Sequence, residues 1–403
     1  MNILIISQYF WPENFRINDL AVELSRRGHN ITILTGYPNY PDGTIYAEFK
    51  SHPKKFDRLE SAKIIRVPII PRGNKKYTLF FNYLSYLICS CVFGSIKLRG
   101  KSFDKILVYQ VSPITVGLTA ILLSKFKKAP IYFWVLDQWP ETLISMGIIK
   151  SRMTIYFFSS MTNFIYQNCA AILGQSESFL KNIENYKISK NKLHYFPNWA
   201  EDIFASVTSA NCAPEILRKK NDFVILFAGN VGKAQGFDAV IEAARITENQ
   251  EKNIKWVIIG KGRDWSRIKK KIENLKLSSV EMLGQFPIER MREFYAAADA
   301  MLICLKSDPL FSLTIPGKLQ TYLMSRKPIL GMIDGEAKNL IDRAEAGLST
   351  TAENHIGLAN NALKMANLSK FERDKMGQNG RNYCIKNFNR KKVIDSLETL
   401  MLK

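Results

Sequence analysis

Apolar positions in this chain fall into short runs, each followed by a turn and then by apolar positions at helical spacing. Ile3–Ser7 opens the series as a buried strand. A helix from about Ile17 to Arg27 follows, with Leu20, Ala21 and Leu24 on its core side and Gly28 as its stop, and Ile31–Thr35 is the next strand. The rhythm continues through strands at Ile64–Ile70, Lys105–Tyr109, Pro130–Leu136, Ala170–Gly174 and Leu193–Phe196. Ser112-Pro113 is expected to open the helix that runs to about Lys125, with Ser at the N-cap and Pro at the first helical position. Between Trp199 and Asp222 the text becomes irregular and polar. It then resumes with strands at Phe223–Phe227, Lys255–Ile259, Val280–Leu283, Ala300–Ile303 and Pro328–Met332. Continuous apolar strands alternating with helices read as parallel sheets covered on both faces. The expected architecture is therefore α/β, with two doubly wound, Rossmann-like domains facing a cleft. Their bounds are 1–200, a linker at 201–221, 222–380, and a C-terminal helix over 381–403 that could cross back to the first domain.

The sharpest local signal follows Phe223–Phe227. Gly229, Gly232 and Gly236 permit a tight turn, and Phe237, Val240, Ile241 and Ala244 then mark a helix. A glycine turn entering a helix N-terminus suits an anion, and Lys233 adds a full charge. Gly260-Lys-Gly262 is a second, weaker turn of this kind. In the first half the loop Gln8–Arg16 lacks glycine; its Trp11, Phe15 and Arg16 suit a sugar or a lipid better than a phosphate. Asp137 and Glu141 in Asp-Gln-Trp-Pro-Glu follow a strand at the edge where open α/β sheets bind ligands. A carboxylate there could orient a hydroxyl or take its proton, or could simply cap the next helix.

With 403 residues the chain is long enough for two domains, and its net charge is +21. Residues 51–128 hold 15 Lys or Arg against three acidic residues, a local field that calls for an anionic partner. Within that region lies Tyr77–Leu98, 15 of whose 22 residues are apolar or aromatic, flanked by Lys75, Lys76, Lys97, Arg99 and Lys101. The segment reads as an interfacial helix on anionic lipid, as an ordinary core helix, or as a membrane span weakened by Asn82, Ser85, Ser90, Gly94 and Ser95. Scattered cysteines and four unpaired histidines predict neither a disulfide framework nor a bound metal. The N-terminus enters a strand directly and reads as carrying no signal peptide.

Taken in order, Tyr9-Phe-Trp-Pro-Glu13, Thr35-Gly-Tyr-Pro-Asn-Tyr-Pro41, Asp137-Gln-Trp-Pro-Glu141, Pro197-Asn-Trp199, Gly229-Asn230 with Gln235-Gly236, and Pro316-Gly-Lys-Leu319 resemble the retaining GT-B glycosyltransferases of family four. The likeness is strongest to their O-antigen branch that transfers N-acetyl-L-fucosamine. The resemblance implies a nucleotide-sugar donor, UDP-linked, and metal-independent chemistry. Gly229, Asn230, Gly232, Lys233, Gln235, Phe286, Lys306, Lys318 and Thr321 are the donor-binding residues it implies. Asp137, Lys233 and Lys318 are catalytic candidates, and Phe15, Arg16, Asp137 and Glu141 face the acceptor. That acceptor would be a polyprenyl-diphosphate-linked sugar, and the protein would sit peripherally on anionic lipid at the cytoplasmic face of the inner membrane, with no nucleic-acid partner. Two departures stand out. Asn230 and Gln235 occupy positions where many relatives carry phosphate-binding Arg and Lys, and Leu313 and Thr321 stand near the positions of the family's glutamate pair. The missing first glutamate favours front-face attack by the acceptor hydroxyl over an enzyme nucleophile. Two rival readings remain: a nucleotide-sugar 2-epimerase on the same fold, and a basic nucleic-acid-binding protein, which explains the charge but not the glycine turn.

Overall fold

A computed structural model describes residues 1–73, 75–200, 204, 207, 211–250 and 253–402. The chain divides into two compact units, Met1–Phe196 with Ser396–Lys403, and Pro197–Asp395.

The first unit is built on β1 (Asn2–Ile6), β2 (Asn30–Gly36), β3 (Arg58–Leu59), β4 (Ala62–Val67), β5 (Lys105–Gln110), β6 (Ile131–Val135), β7 (Ala171–Gly174) and β8 (Leu193–Tyr195). Their order is β3-β4-β2-β1-β5-β6-β7-β8, parallel throughout except for the short β3 edge. The order reverses between β1 and β5, which pair from Ile3↔Lys105 to Ile6↔Val108. Ligands bind beyond the carboxyl ends of strands at such a switch point. The helix Arg16–Arg26 buries Ile17, Leu20, Ala21 and Leu24, as its apolar spacing requires. The last turns of the chain also pack on this unit, where Glu398 accepts from His29 Nε2 (2.7 Å) and pairs with Arg27.

The second unit contains β9 (Phe223–Ala228), β10 (Ile254–Ile259), β11 (Val280–Gly284), β12 (Ala300–Cys304), β13 (Ile329–Met332) and β14 (Gly347–Thr350), all parallel in the order β11-β10-β9-β12-β13-β14. Because side chains alternate across a strand, β9 feeds two cores. Val224, Leu226 and Ala228 join one, with Leu319, Tyr322 and Ile341; Phe223, Ile225 and Phe227 join the other, with Val240, Ala244 and Leu358. Each such large apolar side chain contributes about 1.5–3 kcal/mol on burial.

Three sequence expectations change. The helix after β5 begins at Val116 rather than at Pro113, because the Ser112 hydroxyl is hydrogen-bonded to Tyr83 Oη (3.3 Å) and to Asp137 instead of to a helix N–H. Part of the expected 201–221 linker lies outside the described residues; of the rest, Phe204, Val207, Ala213 and Ile216 are buried in the second unit's core. The C-terminal segment forms two helices, Lys370–Asn387 and Arg390–Leu402.

The Tyr77–Leu98 segment forms one helix, Lys76–Lys97, long and apolar enough to cross a membrane by length and composition. It packs on β2, β4 and the Val116–Lys127 helix, and Gly94 lets it approach β2, since an added Cβ would lie 2.9 Å from Leu34. Its polarity is inverted. Asn82 and Ser90 are buried beside Tyr86, whereas Phe80 (60%), Ile88 (53%) and Ile96 (63%) are exposed. Asn82 is satisfied inside by Gln8 Nε2 (2.7 Å) and the Ile70 carbonyl (2.6 Å), and Ser90 by Thr119 Oγ1 (2.7 Å).

Candidate active site

In the second unit the switch point lies between β9 and β12. These strands pair only at Ala300↔Ile225 and Met301↔Leu226, so they part before their carboxyl ends. The buried Tyr322 hydroxyl takes the place of the missing ladder, accepting from Ala228 N (2.9 Å) and donating to Ala228 O (3.0 Å). Four residues earlier on the same helix, Gly317–Met324, Lys318 reaches the end of β9. Its Nζ stands 3.9 Å from the centre of the Phe227 ring, and a Cβ on Gly229 would lie 2.6 Å from it. Burial pushes this ammonium down to about 8. No carboxylate pairs with Lys318 among the described residues. A cation over an aromatic face gains about 2 kcal/mol or somewhat more when desolvated, which offsets only part of the several kcal/mol that an unpaired buried charge costs. The arrangement therefore favours an incoming anion.

The glycine turn is a backbone-to-backbone junction. A Cβ on Gly260 would fall 1.9 Å from Gly229 O, and one on Gly262 would fall 2.0 Å from Val231 O. This is the physical reason for both glycine motifs. It also narrows the anion site expected at this turn, because several of the turn's N–H groups are already engaged. Gly229 N donates to Ile259 O (2.9 Å), Val231 N to Lys261 O (2.8 Å) and Gly232 N to Gln235 Oε1 (3.0 Å). Gln235 thus caps the turn, while Asn230, Lys233 and Ala234 keep N–H groups without a protein acceptor among the described residues. Gly236, at φ +64°, starts the helix Phe237–Asn249 beside Lys306, whose N–H donates to Ala234 O (2.8 Å). Lys233 and Lys306 line one cavity of about 290 Å³ with Phe237, Asp238, Asp264 and Arg267. Arg267 is fully compensated there by Asp238 (2.8 Å) and Asp264 (2.7 Å).

The remaining donor candidates are placed differently. The Phe286 ring turns inward onto Phe294 (4.5 Å between centroids), leaving its backbone N–H and carbonyl without partners among the described residues. Thr321 and Gln320 are buried at 6% and 1% exposure. With its amide oriented to satisfy both neighbours, Gln320 donates to the Pro316 and Gly317 carbonyls (3.0 Å each), so it is committed to the helix start.

In the first unit, Asp137 follows β6. Trp139 Nε1 donates to its Oδ2 (3.1 Å), and the Thr142 and Ser112 hydroxyls donate to the same carboxylate. Side chains hold it rather than helix N–H groups, so it is not a cap. Burial pushes its carboxyl up to about 6, which leaves it ionised at neutral pH. Glu141 accepts from Tyr186 Oη (3.1 Å) through Oε1, and its buried Oε2 has no partner among the described residues. Phe15 stacks on Tyr9 (5.4 Å) and packs on Tyr40 (5.4 Å) and Tyr109 (6.5 Å), and the Arg16 N–H, at the helix start, meets the Tyr109 hydroxyl.

Sequence reading missed three contributors. Glu13 ties the first loop together by accepting from Phe10 N (3.1 Å), Asn39 N (2.8 Å) and Tyr40 N (2.8 Å). Tyr83 joins the long helix to Ser112, and Arg72 donates to Tyr9 Oη (3.1 Å). The repeated Tyr-Pro text around Asn39 was the available signal for the first; nothing local marked the other two. Among the described residues no three His, Cys, Asp or Glu side chains converge as a metal site.

Residues 209–383 match the family described as Glycosyl transferases group 1. The probable glycosyltransferase WbjE of Pseudomonas aeruginosa is 25% identical over 301 residues, 72% of each chain. The putative colanic acid biosynthesis glycosyl transferase WcaI of Escherichia coli is 23% identical over 322 residues, 75% of this chain and 74% of its own. The crystal structure of Anabaena Alr3699/HepE in complex with UDP and glucose superposes with a TM-score of 0.69 at 14% identity, covering 99% of both chains. Two parallel-sheet Rossmann-like units give the chain the GT-B architecture, and the group 1 match over residues 209–383 together with these relatives indicates a glycosyltransferase.

Proposed function

We propose that the protein transfers an N-acetylated hexosamine, N-acetyl-L-fucosamine, from its UDP-linked form to a polyprenyl-diphosphate-linked sugar in O-antigen or related lipopolysaccharide assembly. The observation that carries the donor half is Lys318, an uncompensated ammonium at the Gly229 turn of a glycosyltransferase group 1 domain. The UDP and glucose of the Anabaena complex and the colanic acid name of the Escherichia coli relative support the donor class and the polysaccharide setting. The sugar itself rests on the motif resemblance.

In the transfer, the acceptor hydroxyl oxygen bonds to the anomeric carbon as that carbon's bond to the β-phosphate oxygen breaks, and UDP leaves. Charge builds on the β-phosphate, where Lys318 supplies a fixed cation, assisted by Lys233, Lys306 and the open N–H groups of Asn230, Lys233 and Ala234. The base is held by the Phe286 backbone. Asp137, ionised above about pH 6, orients the acceptor hydroxyl, and the released proton passes to the departing phosphate on the same face. Front-face attack follows the reading of the absent glutamate, retention of configuration rests on the family resemblance alone, and lysines rather than a metal ion carry the phosphate.

The first unit would rest on the cytoplasmic face of an anionic membrane. The inverted Lys76–Lys97 helix supports this: it hides Asn82 and Ser90 and exposes Phe80, Ile88 and Ile96, within the basic 51–128 region. The direct test incubates the enzyme with UDP-N-acetyl-L-fucosamine and a short polyprenyl-diphosphate disaccharide. The expected product is a trisaccharide lipid with release of UDP. Conversion of a UDP-N-acetylhexosamine to its epimer without acceptor would replace this reading with the epimerase one.

A further inference from the structure

Several arginines in this protein are compensated. Arg66, buried, donates to the Gly36 carbonyl (3.0 Å) and to Trp11 O and lies in the field of Glu13 and Asp57. Arg290 lies between Glu215 (3.0 Å) and Glu293 (2.7 Å). Arg72 is different. Its side chain, half-buried at the carboxyl edge of the first sheet, meets only tyrosines among the described residues: Tyr9 Oη accepts from its Nη1 (3.1 Å), and the Tyr40 ring lies 5.4 Å from its guanidinium carbon. Its backbone N–H donates to Asn39 Oδ1 (2.9 Å). Its neighbours Tyr9 and Tyr83 are held neutral by burial, which pushes both phenols up, so neither supplies a counter-charge. No carboxylate pairs with Arg72 among the described residues, and the rest of its guanidinium fork is unengaged there.

The surroundings specify the ligand further. Tyr9 and Tyr83 interact directly, Tyr83 Oη bonds Ser112 Oγ (3.3 Å), and Ser112 bonds Asp137. A short chain of hydroxyls therefore links Arg72 to the carboxylate that orients the acceptor. Tyr83 also belongs to the helix whose exposed residues begin with Tyr77, Phe80, Phe81 and Leu84. Arg72 thus shares this edge with that carboxylate, through Tyr9, Tyr83 and Ser112, and with the helix that begins at Lys76, groups that suit the phosphate, the sugar and the lipid of a prenyl-diphosphate sugar.

We propose that Arg72 is the subsite for the phosphate of the acceptor, distinct from the donor's phosphates at Lys318. The guanidinium fork takes two phosphate oxygens, with the apolar chain leaving along the exposed helix face. The inference rests on the acceptor class proposed above, and its test separates the two.

The experiment measures binding of geranyl diphosphate and of geraniol to the full chain by calorimetry, with UDP saturating, for the wild type, Arg72→Gln and Arg72→Lys. Arg72→Gln is expected to weaken the diphosphate about tenfold or more and to leave geraniol unchanged, with Arg72→Lys between. Melting temperatures of both variants serve as the folding control. Equal weakening of both probes, or of neither, overturns the proposal. Pelleting on phosphatidylglycerol vesicles separates the two sources of phosphate: unchanged pelleting of Arg72→Gln supports the acceptor, while lost pelleting with unchanged probe affinity assigns Arg72 to lipid headgroups and overturns it. With active enzyme, Arg72→Gln should raise KM for the diphosphate acceptor and not for UDP-sugar. A wild type that binds geranyl diphosphate but never glycosylates a diphosphate lipid would remove the acceptor reading and leave this subsite standing.

Discussion

The two sheets end differently at their switch points. Beyond β9 the edge is made of glycine, and the backbones of Gly229 and Gly260 come so close that no side chain fits between them. Beyond β1 the edge is made of rings, with Tyr9, Phe15, Tyr40 and Tyr109 packed together and the loop tied by the Glu13 carboxylate. A small, rigid, amide-rich edge suits a diphosphate, and a broad aromatic edge suits a sugar and its lipid. Yet both edges hold a cation with no carboxylate partner among the described residues, Lys318 over Phe227 and Arg72 over Tyr40. The difference suits the two edges to different ligands, and the shared feature favours an anion at each.

The strongest way to break the comparison is at the two groups assigned to chemistry. Lys318→Ala is expected to cut turnover about 10²–10³-fold with the melting temperature nearly unchanged, by analogy with loss of one oxyanion donor; full activity would remove the lysine from the site. Asp137→Asn should cost about a hundredfold in kcat. Because the Asp137 carboxyl titrates at about 6, wild-type activity should fall as pH drops below 6, where the carboxylate is protonated, and that acid limb should vanish in the Asn variant. Activity should also fall above about 8 as Lys318 loses its charge, a limb absent from Lys318→Ala.

Smaller effects sharpen the contrast between a glycine edge and an aromatic one. Gly260→Ala forces a Cβ onto Gly229 O, so it should destabilise the second unit by about 1–3 kcal/mol and weaken UDP binding, while acceptor affinity is unaffected. Glu13→Gln tests the other edge by pH. Burial raises the Glu13 carboxyl to about 7 in the fold, above its unfolded value of about 4.3, so its contribution to stability is present at low pH and is lost as pH rises toward 7. The Gln variant should show a flatter melting profile between about pH 4 and 7. Last, Phe80→Ser with Ile88→Ser should release protein from anionic vesicles and spare activity on a short soluble acceptor.

Much of this was legible in the sequence because continuous apolar runs report buried parallel strands directly. Phe223–Phe227 announces itself, whereas β14, Gly347-Leu-Ser-Thr350, is a half-buried edge strand whose text looks like a turn. Ser112-Pro113 misled because a side chain that could cap a helix is held by Tyr83 and Asp137, contacts made by residues far away in sequence. The same holds for the site. Gly229 and Lys318 carry local motifs, but nothing near Arg72 marks it, because its lack of a counter-charge is a property of what three separate segments bring to it. The long helix showed its composition in the sequence but not its inversion, since only packing decides which face Asn82 and Ser90 occupy.

UDP binding by calorimetry at pH 8, in two buffers of different ionisation enthalpy, tests the central claim most directly, because the diphosphate is fully ionised there while Lys318 is half-protonated. The expected result is proton uptake on binding to the wild type, as the anion restores the lysine's charge, with no such uptake and weaker binding in Lys318→Met. Equal affinity and equal proton uptake in the two proteins would contradict the assignment of Lys318 to the donor's phosphates.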